Sequence, residues 1–305
     1  MKREVRFWDS MTREIVLARA PRRIVSLVPS DTYSLVALGA GERLVGRTRY
    51  CVEPAAAVER IPAMGGTKNA DVETIVAAAP DLVLANREEN TKKDLERIAQ
   101  AGIAVYVSFP KRVADGLAHL GRIVRMLDIA ADARVKERLR GYYEALREAE
   151  ASVERLPPVP SFFPIWMDPL MTIHGDTIIS DVMRLGGASN VFADRARRYP
   201  LAADLGRAAP LTPEQVESRD TRYPRVSWDE VVTRAPELVL LPDEPHDFTE
   251  ADAARFRALD IPAAKWSDNL AGVIKVDGKD FSWYGARCLE GLARVAAVID
   301  RHRRR

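Results

Sequence analysis

From residue 22 to residue 127 the chain alternates apolar runs that lack polar interruption with segments whose apolar residues recur at helical spacing. "RRIVSLVPS" is a β-branched run closed by Pro29 and Ser30, the pattern of a strand covered on both faces and followed by a turn. "DTYSLVALGAG" then predicts a helix, capped by Ser30 or Asp31 and stopped by Gly39 and Gly41. "LVGRTRYC" predicts a second strand, and the chain from there to Pro62 reads as loop. Asp71 can cap a short helix with Val72, Ile75, Val76 and Ala79 on one face, ended by Pro80. "DLVLA" is the next strand, Thr91 caps a helix to Ala101, "GIAVYVSF" is another strand, and a helix runs from about Lys111 to Leu127. Strand alternating with helix predicts a parallel α/β lobe.

Residues 131–156, "ADARVKERLRGYYEALREAEASVERL", are rich in helix formers and charge, and as one helix would be about 38 Å long. "PPVP" stops it and a second α/β pattern opens at "SFFPIWMDPL". The expected organisation is an N-terminal α/β lobe over 1–130, a connecting helix over 131–156, and a C-terminal α/β lobe over 157–305. An internal repeat supports two related lobes. "VETIVAAAPDLVL" from Val72 aligns without gaps on "WDEVVTRAPELVL" from Trp228, matching Val76 with Val232, Ala79 with Ala235, Pro80 with Pro236 and Leu82 to Leu84 with Leu238 to Leu240. A generic helix, proline, acid and strand phrase arising twice is the alternative.

Charge removes some function classes. Lys plus Arg number 46 against 44 Asp plus Glu, with the signs interspersed, so nothing predicts nucleic-acid binding. The basic "RHRRR" end reads as a solvated helix terminus. Cys51 and Cys288 lie far apart with no CxxC pair, and reduced thiols are the default, a single bridge being the alternative. No apolar stretch of signal-peptide length opens the chain, and none approaches the roughly 20 residues of a membrane span. As written, the protein is expected to stay in the cytoplasm; a leader ahead of this sequence would place it in the periplasm or at the cell surface.

Ligands of open parallel sheets bind beyond the carboxyl ends of the strands. That rule collects Pro29, Ser30 and Thr32 after the first strand, Thr48, Arg49 and Cys51 after the second, Asn86, Glu88, Glu89 and Asn90 after "DLVLA", and Ser108 after the fourth. From the second lobe it collects Trp166, Met167, Asp168 and the loop "DRARRYP" with Arg198, and then Ser282, Trp283, Tyr284 and Arg287 where a final helix starts. Aromatic, hydroxyl, amide and charged groups together suit a sizeable small molecule. Enzyme motifs are scarce: GxxxxGK[ST], GxSxG and HExxH are all absent. The four histidines are scattered, and each reads first as surface or structural; His174, close after Trp166 and Asp168, is the candidate ligand among them, with Cys51 a second candidate for a soft metal.

"PRRIVSLVPSDTYSLVALGAGERLVGRT", "GGTKNADVETIVAAAPDLVLA", the long charged helix, "IWMDPLMTIHGDTIISDVMRLGGASNVF", "VSWDEVVTRAPELVLL" and "SWYGAR" together resemble the class III solute-binding proteins of ABC importers, receptors for cobalamin, haem and ferric siderophores, over about residues 20 to 300. The resemblance implies two Rossmann-like lobes with mainly parallel sheets joined by one long helix, the ligand held between them, and no catalysis. It implies an acid on each lobe that docks onto permease arginines, at the positions of Glu73 and Asp229, with Glu230 adjacent. Where the family writes an acid after Pro-Ser-x-Thr, this chain has Tyr33, and neither an export signal nor a lipid-attachment cysteine is present. "RTRYC", "GGTKN" and "NREEN" look like marks of a signal-less branch.

The first reading is therefore a monomeric, non-enzymatic protein for a metal chelate, a corrinoid first and a ferric siderophore or haem next, serving ABC-type uptake or sequestration. Trp166, Trp283 and Tyr284 would supply flat contact. Ser30, Thr32, Tyr33, Lys68, Asn69, Asn90 and Arg287 would meet polar groups, and Arg49, Lys68, Arg198 and Arg287 favour a carboxylate or phosphate on the ligand. The second reading is a cytosolic enzyme or bare-metal-handling protein in which Cys51, His174 and the Glu88/Glu89 pair meet.

Overall fold

The computed structural model describes residues 4–266 and 271–303; the last two arginines of the basic tail lie outside the described residues. The chain divides into two compact units, Met1–Glu144 with Trp283–Leu289, and Ala145–Ser282 with Glu290–Arg305. The division falls inside the long helix Ala133–Val153, about 32 Å by its 21 residues, and not at either of its ends. The helix contributes buried Val135 and Tyr142 before that point and buried Leu146 after it.

Unit 1 opens with an antiparallel hairpin that the sequence pattern does not anticipate, β1 (Val5–Trp8) and β2 (Glu14–Leu17). Its sheet is β3 (Ile24–Ser26), β4 (Leu44–Arg47), β5 (Leu82–Asn86) and β6 (Ala104–Ser108), all parallel in the order β4-β3-β5-β6. Val25, Leu27, Val83, Ala85, Val105 and Val107 alternate onto one face and pack with Val72, Ile75, Leu95 and Ile98 of two helices. Leu82, Leu84 and Tyr106, on the other face, are also fully buried, which is why the strands lack polar alternation.

The helix after β3 starts at Pro29, two positions ahead of the expected Asp31. Pro29 occupies its first turn and Val28 its N-cap, as suits a residue with fixed φ and no N–H to leave unpaired. Ser30 and Asp31 therefore sit inside the first turn rather than capping it. Gly39, with φ +74, ends the helix as predicted.

Unit 2 contains β7 (Val159–Phe162), a small antiparallel pair β8 (Pro164–Trp166) and β9 (Met171–Thr172), then β10 (Ala188–Asn190), β11 (Leu238–Pro242) and β12 (Val273–Val276). Its parallel sheet runs β10-β7-β11-β12. Phe162, Phe192, Phe248 and Phe256, each fully buried, dominate the core. Counting only the strands of each parallel sheet, both units read second, first, third, fourth.

The repeat extends to the backbone. Ala79, expected to continue a helix face, and its repeat partner Ala235 both adopt the left-handed region at φ 44 and 45, each just before the proline that leads into a central strand. Helices Val72–Ala77 and Trp228–Arg234 end ahead of them. An L-residue there is strained by about 1–2 kcal/mol, against a smaller entropic cost for glycine. Ala79→Gly and Ala235→Gly are each expected to stabilise by up to about 1 kcal/mol, read from the midpoint of urea unfolding; a loss of stability would show that these methyl groups are packed.

Candidate functional site

In unit 1 the carboxyl ends of the strands carry a buried polar network. Asn86 ends β5 and Ser108 ends β6, in register with each other; both are buried. Asn86 Nδ2 donates to Ser108 Oγ at 3.4 Å. The Asn90 side chain is consumed by backbone: its Oδ1 accepts the Asn86 N–H at 2.8 Å, and its Nδ2 donates to the carbonyls of Leu27 and Thr67. The amides that close "DLVLAN" therefore tie three loops together. Lys68 Nζ donates to the Glu88 carbonyl, and Arg49 Nη2 reaches Asn69 Oδ1 at 3.5 Å, so Arg49, Lys68 and Asn69 edge the same loops from the exposed side.

Tyr284 completes the network. Its hydroxyl donates to Asp31 Oδ2 at 3.1 Å and lies 2.8 Å from Ser108 Oγ. Asp31 Oδ1 lies 2.6 Å from His119 Nε2, and the Tyr106 hydroxyl is 3.5 Å from His119 Nδ1. The arrangement suits an imidazole that gives its Nε2 proton to the carboxylate. Asp31 is fully buried and His119 is 1% exposed, so each relies on the other for a hydrogen-bond partner. The helix Val113–Met126 brings His119 here by placing it with Leu120 and Ile123 on its buried face. Gly116 allows the approach: a Cβ there would lie 2.8 Å from the Gly285 nitrogen, and Gly285 itself sits at φ +79 with Ser34 Oγ where its own Cβ would point. The Ser34 hydroxyl accepts the Ala286 N–H at 3.2 Å.

Around this core, Trp283 is buried and meets Tyr33 edge-on at 6.3 Å, and the Arg287 guanidinium lies 5.8 Å above the Tyr33 ring while its Nη1 is 3.7 Å from Glu53. Ser30 and Thr32 are buried beneath. The Cys51 thiol, 0% exposed, is 3.1 Å from Thr48 Oγ1. Burial pushes that thiol up; the Thr32 and Thr48 hydroxyls oppose the rise and the Glu89 charge adds to it. Burial likewise raises the Tyr284 phenol well above its usual value, helped by the charges of Asp31 and Glu89. Burial raises Tyr106 to about 12.

A phenol raised in the folded state stabilises it below the unfolded value and loses that contribution as pH rises toward the folded one. For Tyr106 the window is pH 10 to about 12. Spectrophotometric titration is expected to show Tyr106 and Tyr284 ionising only together with alkaline unfolding; ionisation near pH 10 in the intact fold would contradict their burial.

Unit 2 presents fewer such groups. Trp166, at the end of β8, is 45% exposed with its ring 5.2 Å from that of His246. Arg198 is exposed, its N–H held by Asp204 Oδ1. His174 is half-buried and structural in its bonding: Nδ1 accepts the Asp176 N–H at 3.0 Å. Cys51 belongs to unit 1 and His174 to unit 2, and among the described residues no group of three His, Cys, Asp or Glu side chains is placed to hold a metal ion. Cys51 and Cys288 are free thiols.

The three acids of the two repeated helices differ. Glu73 and Asp229 are exposed in their first turns, Glu73 in contact with Arg97. Glu230 is committed internally, Oε1 to buried Arg195 at 2.9 Å and Oε2 to the Ser227 N–H of its capping box. Asp31 and His119 are the residues that sequence reasoning missed as a pair; Asp31 reads as a cap, and nothing local signals a partner 88 positions away.

Known proteins fit this architecture. The family described as periplasmic binding protein matches residues 24–259. A vitamin B12-binding protein of Yersinia pestis (strain Pestoides F) is 29% identical over 225 residues, covering 73% of this chain and 70% of that protein. The periplasmic vitamin B12-binding protein BtuF of Vibrio cholerae superposes with a TM-score of 0.69 at 20% identity, over 94% of this chain and 99% of that one. The periplasmic haem-binding protein RhuT from Roseiflexus sp. RS-1 gives 0.70 at 17% identity, over 92% and 98%. Two parallel four-stranded sheets, the repeat and the family match agree, and the enzyme reading falls away: the chain belongs to the periplasmic binding protein family, the non-enzymatic solute-binding proteins of ABC transport.

Proposed function

We propose that this protein binds a metal chelate, a corrinoid first and a haem or ferric siderophore next, as the binding component of an ABC-type importer or as a sequestering protein. The observation that carries the reading is the 29% identity over 225 residues to a protein named for vitamin B12 binding. The polar strand ends of unit 1 support it. There Tyr33, Arg49, Lys68, Asn69 and Arg287 edge the buried network, with Ser30, Thr32, Asn90, Trp283 and Tyr284 setting its shape. In unit 2, Trp166 offers an exposed flat ring and Arg198 a cation. Glu73 and Asp229 are proposed as the permease-docking acids, equivalent in the repeat and both outward; Glu230 serves Arg195 first.

The test is a tryptophan-fluorescence titration against cobalamin, haem and ferric siderophores, corrected for ligand absorption. Saturable binding of one chelate at micromolar concentration or tighter is expected, and indifference to all of them would remove the reading. Trp166→Ala should weaken that binding by about 1–3 kcal/mol if the ring is an anchor; unchanged affinity takes Trp166 out of the site.

A further inference from the structure

In unit 2, Arg197 and Arg225 carry buried guanidinium nitrogens that meet no hydrogen-bond partner among the described residues. In the segment that follows β10, two cations are paired with acids. Arg195 is bound by Glu230 and by Asp204 Oδ1 at 3.1 Å, and Arg222 forms a two-point pair with Asp220. Asp204 is engaged elsewhere as well, because Oδ1 also takes the Arg198 N–H and Oδ2 takes the Arg225 N–H at 2.7 Å. It binds the backbone of Arg225 and leaves the guanidinium unmatched. The Nε and Nη1 of Arg225 and the Nε of Arg197 are buried and meet no hydrogen-bond partner among the described residues.

Both strands of this loop are fixed. The Arg197 N–H donates to the Thr221 carbonyl at 2.6 Å, and Asp204 bridges the backbones of Arg198 and Arg225. The Tyr199 ring carries Arg197 at 4.4 Å and Arg219 at 4.9 Å, while its hydroxyl is spent on the Asp220 carbonyl. Desolvation lowers the Arg225 pKa, and the like charge of Arg197 lowers it further, with Asp204 and Tyr199 acting the other way. Buried donors of a charged fork with no acceptor are costly, and a second cation beside them raises that cost. An incoming oxyanion would satisfy an unpartnered N–H of each arginine, since guanidinium donors make charge-assisted hydrogen bonds to carboxylate and phosphate oxygens.

We propose that Arg197 and Arg225 form a receptor in unit 2 for an oxyanion, a carboxylate or phosphate group. The site does not depend on which chelate the protein binds: it takes either a free oxyanion or the acidic substituent of a solute.

The test is calorimetric titration with inorganic phosphate and with succinate at low ionic strength, on the wild type and on R197Q, R225Q and R225K. The expected result is saturable binding of at least one anion, weakened tenfold or more by R197Q and by R225Q and only partly kept by R225K. Phosphate alone binding assigns a phosphate site, and succinate alone a carboxylate site. Without anion, R225Q should melt at or above the wild-type temperature, because a desolvated charge beside a like charge has been removed. Absence of saturable binding of both anions, or equal affinity in the variants, overturns the proposal. So does an R225Q that melts well below wild type, which would make Arg225 a structural cation. None of these probes contains a chelate, so their failure leaves the chelate titration unaffected.

Discussion

Asp31→Ala is expected to destabilise unit 1 by about 3 kcal/mol, the upper range for leaving a buried polar group unsatisfied. The carboxylate is fully buried and answers two groups at once, His119 Nε2 at 2.6 Å and the Tyr284 hydroxyl at 3.1 Å. Truncation leaves His119 Nε2 without its acceptor and the Tyr284 hydroxyl with Ser108 Oγ alone, at 2.8 Å, which costs more than the lost bonds were worth. Tyr284→Phe removes only one neutral donor and should cost far less, about 1 kcal/mol. The measurement is native-state hydrogen exchange at the amides of β3, β5 and β6. If Asp31→Ala costs no more than Tyr284→Phe, the pair contributes little and this account of the network is wrong.

Phe162→Ala is expected to cost a similar amount, about 3–5 kcal/mol, in unit 2. Phe162 has no exposed surface and packs against Phe192 at 5.1 Å and Phe256 at 5.9 Å, centroid to centroid. Its strand is central, between β10 and β11, so the surrounding sheet has little freedom to close the space. Exchange at β7 and β11 amides reports the loss. A cost below about 1.5 kcal/mol would mean that the aromatic cluster collapses into the gap, as volume-tolerant cores do.

Most strands and helices were legible because each announces itself locally. Asp71, Thr91 and their helices follow capping chemistry, and β5 and β11 are apolar throughout because both faces are covered. The repeat predicted equivalent units, and the matching sheet orders agree with it. The hairpin Val5–Leu17 was hidden because "DSMTR" lacks the Asn-Gly or Asp-Gly signal of a tight turn. Ala79 was misread as a helix-face residue because alanine rarely takes positive φ. At the candidate site, residue types at strand ends were legible but partners were not. Asn90 and Trp283 read equally as ligand contacts and as internal supports, and Tyr284 meets Asp31 across 253 positions. Caps and periodicity carry no information at that separation.

The membership of residues 283–289 in unit 1 limits how this chain can be dissected. A fragment ending at residue 144 contains all four strands of the unit 1 sheet, yet it lacks the phenol that meets Asp31 and Ser108 and the N–H that meets Ser34. Sheet completeness is therefore a poor guide to autonomy here. An independent N-terminal half would need that seven-residue stretch returned to it, fused through a short linker or added as a peptide, because the last piece of the first lobe is made almost last.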